Sequence, residues 1–290
     1  MLVAAAYIFK RSMREGAIMN DQTNLAYKPF KAFVCPTCRI EITDPNMHGW
    51  VRDRNFGPET GWKQHILPCP TCSEKAEARA FSAKVARLFA DANIPQRAKE
   101  WTFGSTPGDV DQLAIARCAN FSNKQTGEHG LYLFGEYGCG KTGLAISIIH
   151  AALLREEDAL FIRSLDLMDT LREAIAKKSD EGIELLQLAK SVKWLALDDL
   201  ATEEKTDFVI RKLQGLLEAR RDNGLYTVMT SNNSYRELEA QWRPGNVKAG
   251  ESHAGRRLIE RISEYCKPQG LKGRNLRRTL PDEGKVRPIR

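Results

Sequence analysis

The chain is expected to fold as an α/β protein, a parallel sheet covered by helices and preceded by a small metal-binding module. Three observations predict this. Apolar runs alternate with helical patterns between about residues 131 and 230, the order that builds a parallel sheet with both faces covered. A glycine-rich phosphate-binding motif stands between the first of those strands and the next helix. Two Cys-Pro-Thr-Cys pairs lie well upstream of it.

Taken in order, residues 1–30 show no clear period and read as a flexible leader. Residues 31–72 hold the Cys pairs among many Pro, Gly and Asn and read as a loop-rich module. Ala76, Ala80, Phe81, Val85, Leu88 and Phe89 recur at helical spacing. Asn93-Ile94-Pro95 stops that helix, so residues 73–93 read as a linker helix. Asp109 to Asn123 reads as a helix ahead of the strand Leu131 to Phe134. After the glycine-rich loop come a helix (Leu144 to Leu154), a strand (Ala159 to Ile162) and two helices (Asp166 to Lys177, Ile183 to Lys190). A strand (Val192 to Leu197), a helix (Phe208 to Arg221), a strand (Tyr226 to Thr230) and a helix (Ala254 to Ser263) complete the alternation.

Composition narrows the class. With 42% apolar and 28% charged residues in 290, the chain resembles ordinary soluble proteins and is long enough for one or two domains. No apolar run reaches the length of a membrane span. Leu2 to Phe9 is apolar but lacks the flanks of a signal peptide. Four of the seven Cys sit in the two pairs, a pattern unlike a disulfide framework; metal binding in a reducing cytoplasm is expected. The net charge of +7 is uneven. Residues 243–290 carry 13 Lys/Arg against 5 Asp/Glu, a net +8, which leaves −1 for the rest. A basic end fits an anionic partner, nucleic acid first, or simply a solvated tail.

The motif Gly135-Glu136-Tyr137-Gly138-Cys139-Gly140-Lys141-Thr142 is a P-loop in its proper strand-to-helix setting. Its glycines let backbone N–H groups face phosphate oxygens, and the following helix directs its positive end at them. Lys141 is expected at the β/γ-phosphates and Thr142 at Mg²⁺. Trp194-Leu-Ala-Leu-Asp198-Asp199 is an apolar strand ending in two carboxylates. Asp198 is expected to hold Mg²⁺ and Asp199 to orient the attacking water. Met229-Thr230-Ser231-Asn232 ends another strand, where a polar side chain can meet the γ-phosphate; Asn233 or Ser234 reads as a helix cap. Arg257 and Arg261 share one helix face. They suit either a neighbouring subunit's γ-phosphate or a solvated basic surface.

Cys35, Cys38, Cys69 and Cys72 can supply four thiolates to a structural Zn²⁺. The 30 residues between the pairs exceed the usual spacing, so an insertion must loop out, and His48 or His65 could replace one Cys. Metal binding would fold a module too small to fold alone.

Together these residues resemble the AAA+ ATPases of the DnaC/DnaI helicase-loader and IstB transposition group, over about residues 94 to 280. The Ile94-Pro95 entry, the P-loop, Asp198-Asp199-Leu200, Thr230-Ser231-Asn232, the Arg-rich helix and Gly273-Arg-Asn-Leu-Arg277 carry the resemblance. It implies an αβα ATPase domain over 94–280, which leaves residues 281–290 as a basic tail. It implies sensor roles for Asn232 and Arg277, an arginine finger at Arg261 and a second interface Arg at Arg257. It also implies ATP and Mg²⁺ as cofactors and self-association into a ring or spiral. Asp198-Asp199 with Glu203-Glu204-Lys-Thr206 is closer to the loader pattern, in which an N-terminal zinc domain grips the helicase. Asp199 stands where AAA+ proteins commonly have Glu; its shorter reach implies weak or partner-dependent hydrolysis.

The function expected is therefore ATP-dependent loading of a hexameric replicative helicase onto single-stranded DNA, in bacterial or phage replication. The alternatives are an IstB-like ATPase acting on transposition target DNA, and a zinc-containing DNA-binding adapter holding ATP as a structural ligand.

Overall fold

The computed structural model describes residues 33–42, 50–52, 62–64, 70–200, 206–241 and 249–276. Its contacts divide it into two units, Met1–Ala86 and Arg87–Arg290.

In the first unit, β1 (Phe33–Val34) pairs antiparallel with β2 (Glu41–Ile42), and β3 (Trp50–Arg52) with β4 (Trp62–Gln64). The turn between β1 and β2 is closed by the Cys35 N–H donating to the Ile40 carbonyl at 2.8 Å. Helix α1 (Pro70–Asp91) starts three residues earlier than the periodicity predicts. Pro70 occupies its first position, where no backbone donor is needed and a fixed φ helps. The division between the units falls within α1.

In the second unit, α2 (Gln112–Ser122) is capped by Asp111, whose carboxylate accepts from the N–H groups of Leu113 and Ala114. There follow β5 (Gly130–Gly135), α3 (Lys141–Leu154), β6 (Ala159–Arg163), α4 (Ser164–Lys177) and α5 (Glu181–Ser191). Then come β7 (Trp194–Leu200), α6 (Asp207–Asp222), β8 (Tyr226–Ser231), α7 (Tyr235–Gln241), α8 (Ala249–Tyr265) and β9 (Lys267–Leu271). The five strands form a parallel sheet in the order β6-β7-β8-β5-β9.

The strands sort their side chains by twos into two apolar layers. Tyr132, Leu160, Ile162, Leu195, Leu197 and Met229 face α4, α5, α6 and α8. Leu131, Leu133, Phe161, Trp194, Ala196 and Val228 face α2 and α3. Burial on both sides is why these strands read as continuous apolar runs rather than alternating ones. Each large apolar side chain so buried stabilises the fold by roughly 1.5–3 kcal/mol.

Arg220 lies inside this unit, fully buried. Its guanidinium donates to the carbonyls of Ala189, Val192 and Tyr226 and to Thr227 Oγ1, at 2.6 to 2.8 Å. It thereby ties the end of α5 to the starts of β7 and β8. Burial lowers its pKa to about 10, which leaves it charged.

Within the five-stranded sheet, β9 is the strand the sequence pattern does not announce. It adds to β5 at the sheet edge, where Pro268 removes no needed ladder donor. Helix α8 begins at Ala249, five residues before its apolar period does. Among the described residues no helix is long and apolar enough to cross a membrane.

Candidate nucleotide site and cysteine cluster

The C-terminal ends of β5, β7 and β8 open onto a cavity of about 810 Å³, lined among others by Trp101, Tyr137, Lys141, Thr142, Asp198 and Asn232. The loop after β5 forms its floor. Gly138 has φ 79° and its carbonyl accepts from the Leu276 N–H at 3.0 Å; a Cβ there would collide with the Asn275 side chain. Gly135 likewise has no room for a side chain, because the Leu271 carbonyl of β9 lies against it. Only glycine meets both demands. No side chain caps α3, so its first N–H groups remain available to an anion, with the helix dipole behind them.

Lys141 is buried and donates through Nζ to the carbonyls of Gly135 and Glu136, both at 2.8 Å. Burial lowers its pKa, while Cys139, Asp199 and Asp198 oppose that shift. Cys139 is itself buried, with Sγ 3.8 Å from Lys141 Nζ. Glu136 and the exposed Tyr137 complete the loop.

Asp198 ends the apolar part of β7 and is buried. Its Oδ1 accepts from Thr142 Oγ1 at 2.9 Å and Thr230 Oγ1 at 2.6 Å. Burial raises its pKa; the two hydroxyls and the Arg163 charge pull it down, and Asp199 pushes it up. Arg163 ends β6, in register with Asp198. Asp199 accepts from Asn232 Nδ2 at 3.3 Å. Behind that contact, Tyr132 donates from its hydroxyl to the Asn233 carbonyl at 2.6 Å, tying β5 to the turn after β8. The helix cap there is Ser234, which exchanges hydrogen bonds with Glu237.

The structure thus brings together Gly135, Gly138, Gly140, Lys141, Thr142, Asp198, Asp199 and Asn232. It places Arg257 and Arg261 elsewhere, on α8. Arg257 is exposed; Arg261 is partly exposed and pairs with Glu218 at 3.7 Å and Glu264 at 3.8 Å. Arg277, Glu203, Glu204, His48, His65, Cys69, the leader and the tail lie outside the described residues.

A nucleotide fits this arrangement: a glycine cradle, a buried ammonium and a helix N-terminus converge on one cavity. Mg²⁺ fits beside it, since hard oxygens from Thr142 and Asp198 already adjoin. The bound cation would neutralise phosphate charge, and Lys141 would hold the phosphates from the loop side.

In the first unit, the Sγ atoms of Cys35, Cys38 and Cys72 lie within 4.8 Å of one another. Tetrahedral Zn²⁺ with Zn–S bonds of about 2.3 Å needs thiolates about 3.8 Å apart, so a small closure suffices. These three Cys fit three of four zinc ligands.

Comparison with known proteins agrees with the fold. No family model matches the chain. The replicative helicase loader DnaI of Bacillus subtilis (strain 168) is 30% identical over 184 residues, covering 60% of this chain and 58% of that protein. The chain therefore spans rather more than half the length of this curated relative. A crystal structure of DnaI superposes with a TM-score of 0.53 at 24% identity, over 62% of this chain and 95% of that one. The chain shares the fold of that DnaI structure over this span. A crystal structure of the DnaC helicase loader gives a TM-score of 0.49 at 23% identity, over 61% of this chain and all of that one.

Sequence reasoning missed the part played by Thr230 and by Tyr132. Thr230 was visible only as part of a polar strand end. Nothing in the sequence places a β5 tyrosine under Asn233, because that pairing depends on the strand order.

Proposed function

We propose that this protein is an ATP-dependent loader of a hexameric replicative helicase onto single-stranded DNA. The observation that carries this reading is the 184-residue similarity to a replicative helicase loader. The site geometry supports the ATP-dependent part: Lys141, Thr142, Asp198 and Asp199 meet at one cavity with Asn232 beside the second carboxylate.

In this reading Lys141 binds the β/γ-phosphates, Thr142 and Asp198 hold Mg²⁺, and Asp199 with Asn232 orients the attacking water. Arg261, with Arg257 one turn earlier, acts on the nucleotide of a neighbouring copy after giving up its weak pairs with Glu218 and Glu264. Arg277 approaches the same nucleotide from its own chain. The cysteine cluster, with Cys69 as fourth ligand, holds Zn²⁺ in the unit that recognises the helicase. The basic C-terminal end contributes to DNA affinity, which then falls as salt rises.

The test is binding of the full-length protein to replicative helicases and to DNA, with and without ATP. Helicase binding together with ATP-promoted single-strand binding is the expected result. A protein that ignores every helicase offered and coats duplex DNA with ATP would instead be a transposition-type ATPase.

A further inference from the structure

Strand β8 ends in Thr230 and Ser231, with Asn232 directly after it, and each of the three bonds to the acidic end of β7. The pairing register of the two strands shifts between Leu197 and Leu200, so Asp198 and Asp199 fall outside the regular ladder. Asp199 also has φ 59°, in the left-handed region that a non-glycine residue adopts at a cost of roughly 1–2 kcal/mol. Side chains of β8 supply what the ladder does not. The Asp199 N–H donates to Thr230 Oγ1 at 2.9 Å. The Ser231 hydroxyl donates to the Leu200 carbonyl at 3.0 Å. The Asn232 amide donates to Asp199 Oδ1 at 3.3 Å.

Thr230 has the central place. A hydroxyl carries one proton, and here it goes to Asp198 Oδ1 at 2.6 Å while the same oxygen receives the Asp199 N–H. The Thr142 hydroxyl converges on the same Oδ1. Thr230 is 1% exposed, so water does not compete for these bonds.

We propose that Thr230 is a positioning residue of the nucleotide site. Its single oxygen sets the orientation of the Asp198 carboxylate and holds the strained backbone of Asp199. The cation-holding and water-orienting carboxylates therefore move as one unit with the end of β8. This rests on the nucleotide and Mg²⁺ reading given above.

Thr230→Val keeps the shape and removes the oxygen, leaving the Asp199 N–H and one Asp198 lone pair without their partner. The experiment titrates a fluorescent ATP analogue into the full-length protein, in excess EDTA and at a series of Mg²⁺ concentrations. In EDTA, Thr230→Val is expected to bind within about threefold of wild type, and its half-saturating Mg²⁺ is expected to rise about tenfold or more. Thr230→Ser, which restores the hydroxyl, is expected to restore the wild-type Mg²⁺ response. Thr230→Cys, a similar shape with a weak donor, is expected to fall with Val, and it serves if the Val variant does not fold. A wild-type Mg²⁺ response in the Val or Cys variant overturns the proposal, as does a Ser variant as impaired as Val. A wild-type protein that binds no nucleotide under any condition overturns the reading of the site, and the proposal with it.

Discussion

The Thr142 hydroxyl donates to Asp198 Oδ1 at 2.9 Å, across 56 residues of sequence. One residue opens the helix behind the glycine loop; the other closes the hydrophobic part of β7. Because β8 lies between β5 and β7 in the sheet, the contact exists only when three strands are in register. The proposed cation site is thus a product of the sheet order, and it separates into parts with distinct expected failures.

Lys141→Ala removes the ammonium held by the Gly135 and Glu136 carbonyls. ATP affinity is expected to fall at least about tenfold, measured by equilibrium titration. Asp199→Asn keeps the shape and loses the charge; affinity is expected to stay within about threefold while hydrolysis slows about a hundredfold. Normal ATP binding by the Lys141 variant contradicts the P-loop assignment.

His150 offers a pH test. It is 2% exposed on α3, with Nε2 unpartnered and its ring edge-on to Phe89 at 4.8 Å. Burial depresses its pKa from 6.5 to about 4. The folded form holds it neutral, so its contribution is intact above about pH 6.5. Between pH 6.5 and 4 the unfolded chain binds the proton first, and up to about 3 kcal/mol is lost. Glu157 behaves differently. Burial alone would raise it, but Lys124, Lys193, Trp194 and Arg155 hold it at about 2; its contribution fades only below about pH 4.5. Denaturation of His150→Leu at pH 7, 5.5 and 4.5 is expected to show a flatter pH dependence than wild type. An unchanged slope contradicts the assignment.

Among the described residues, the Arg220 guanidinium bonds to carbonyls and one hydroxyl and to no carboxylate. Arg220→Ala orphans several buried acceptors and opens a cavity. It is expected to cost about 3–5 kcal/mol, read by urea unfolding. A cost below about 1 kcal/mol would show that water replaces the guanidinium.

These two buried groups mark where the sequence stops being legible. The strands at Leu131, Ala159, Trp194 and Tyr226 were readable because burial on both faces makes each an unbroken apolar run. The P-loop and Asp198 were readable because their chemistry demands particular residue types at the end of such a run. β9 was not: Lys267-Pro-Gln-Gly-Leu271 has neither alternation nor an apolar run, and only its edge position next to β5 makes it a strand. Thr230, Tyr132 and Arg220 were illegible for a related reason. Each acts through partners that the sheet order brings beside it, and strand order is not written in local periodicity.

The cysteine cluster has a direct check. Elemental analysis of the purified protein is expected to find one zinc per chain, and Cys38→Ser to reduce it by tenfold or more in affinity. Only traces of zinc, with the thiols of Cys35, Cys38 and Cys72 reacting freely, contradict a metal site.

The central claim, ATP-dependent loading of a replicative helicase, is tested most directly on circular single-stranded DNA, which offers a hexameric ring no end to thread. The measurement is the amount of helicase retained on the circles after addition of the full-length protein. Retention is expected with ATP and Mg²⁺, and is expected to be lost without nucleotide or with Lys141→Ala. Helicase that stays off the circles, although the wild-type protein binds both ATP and the helicase, would contradict it.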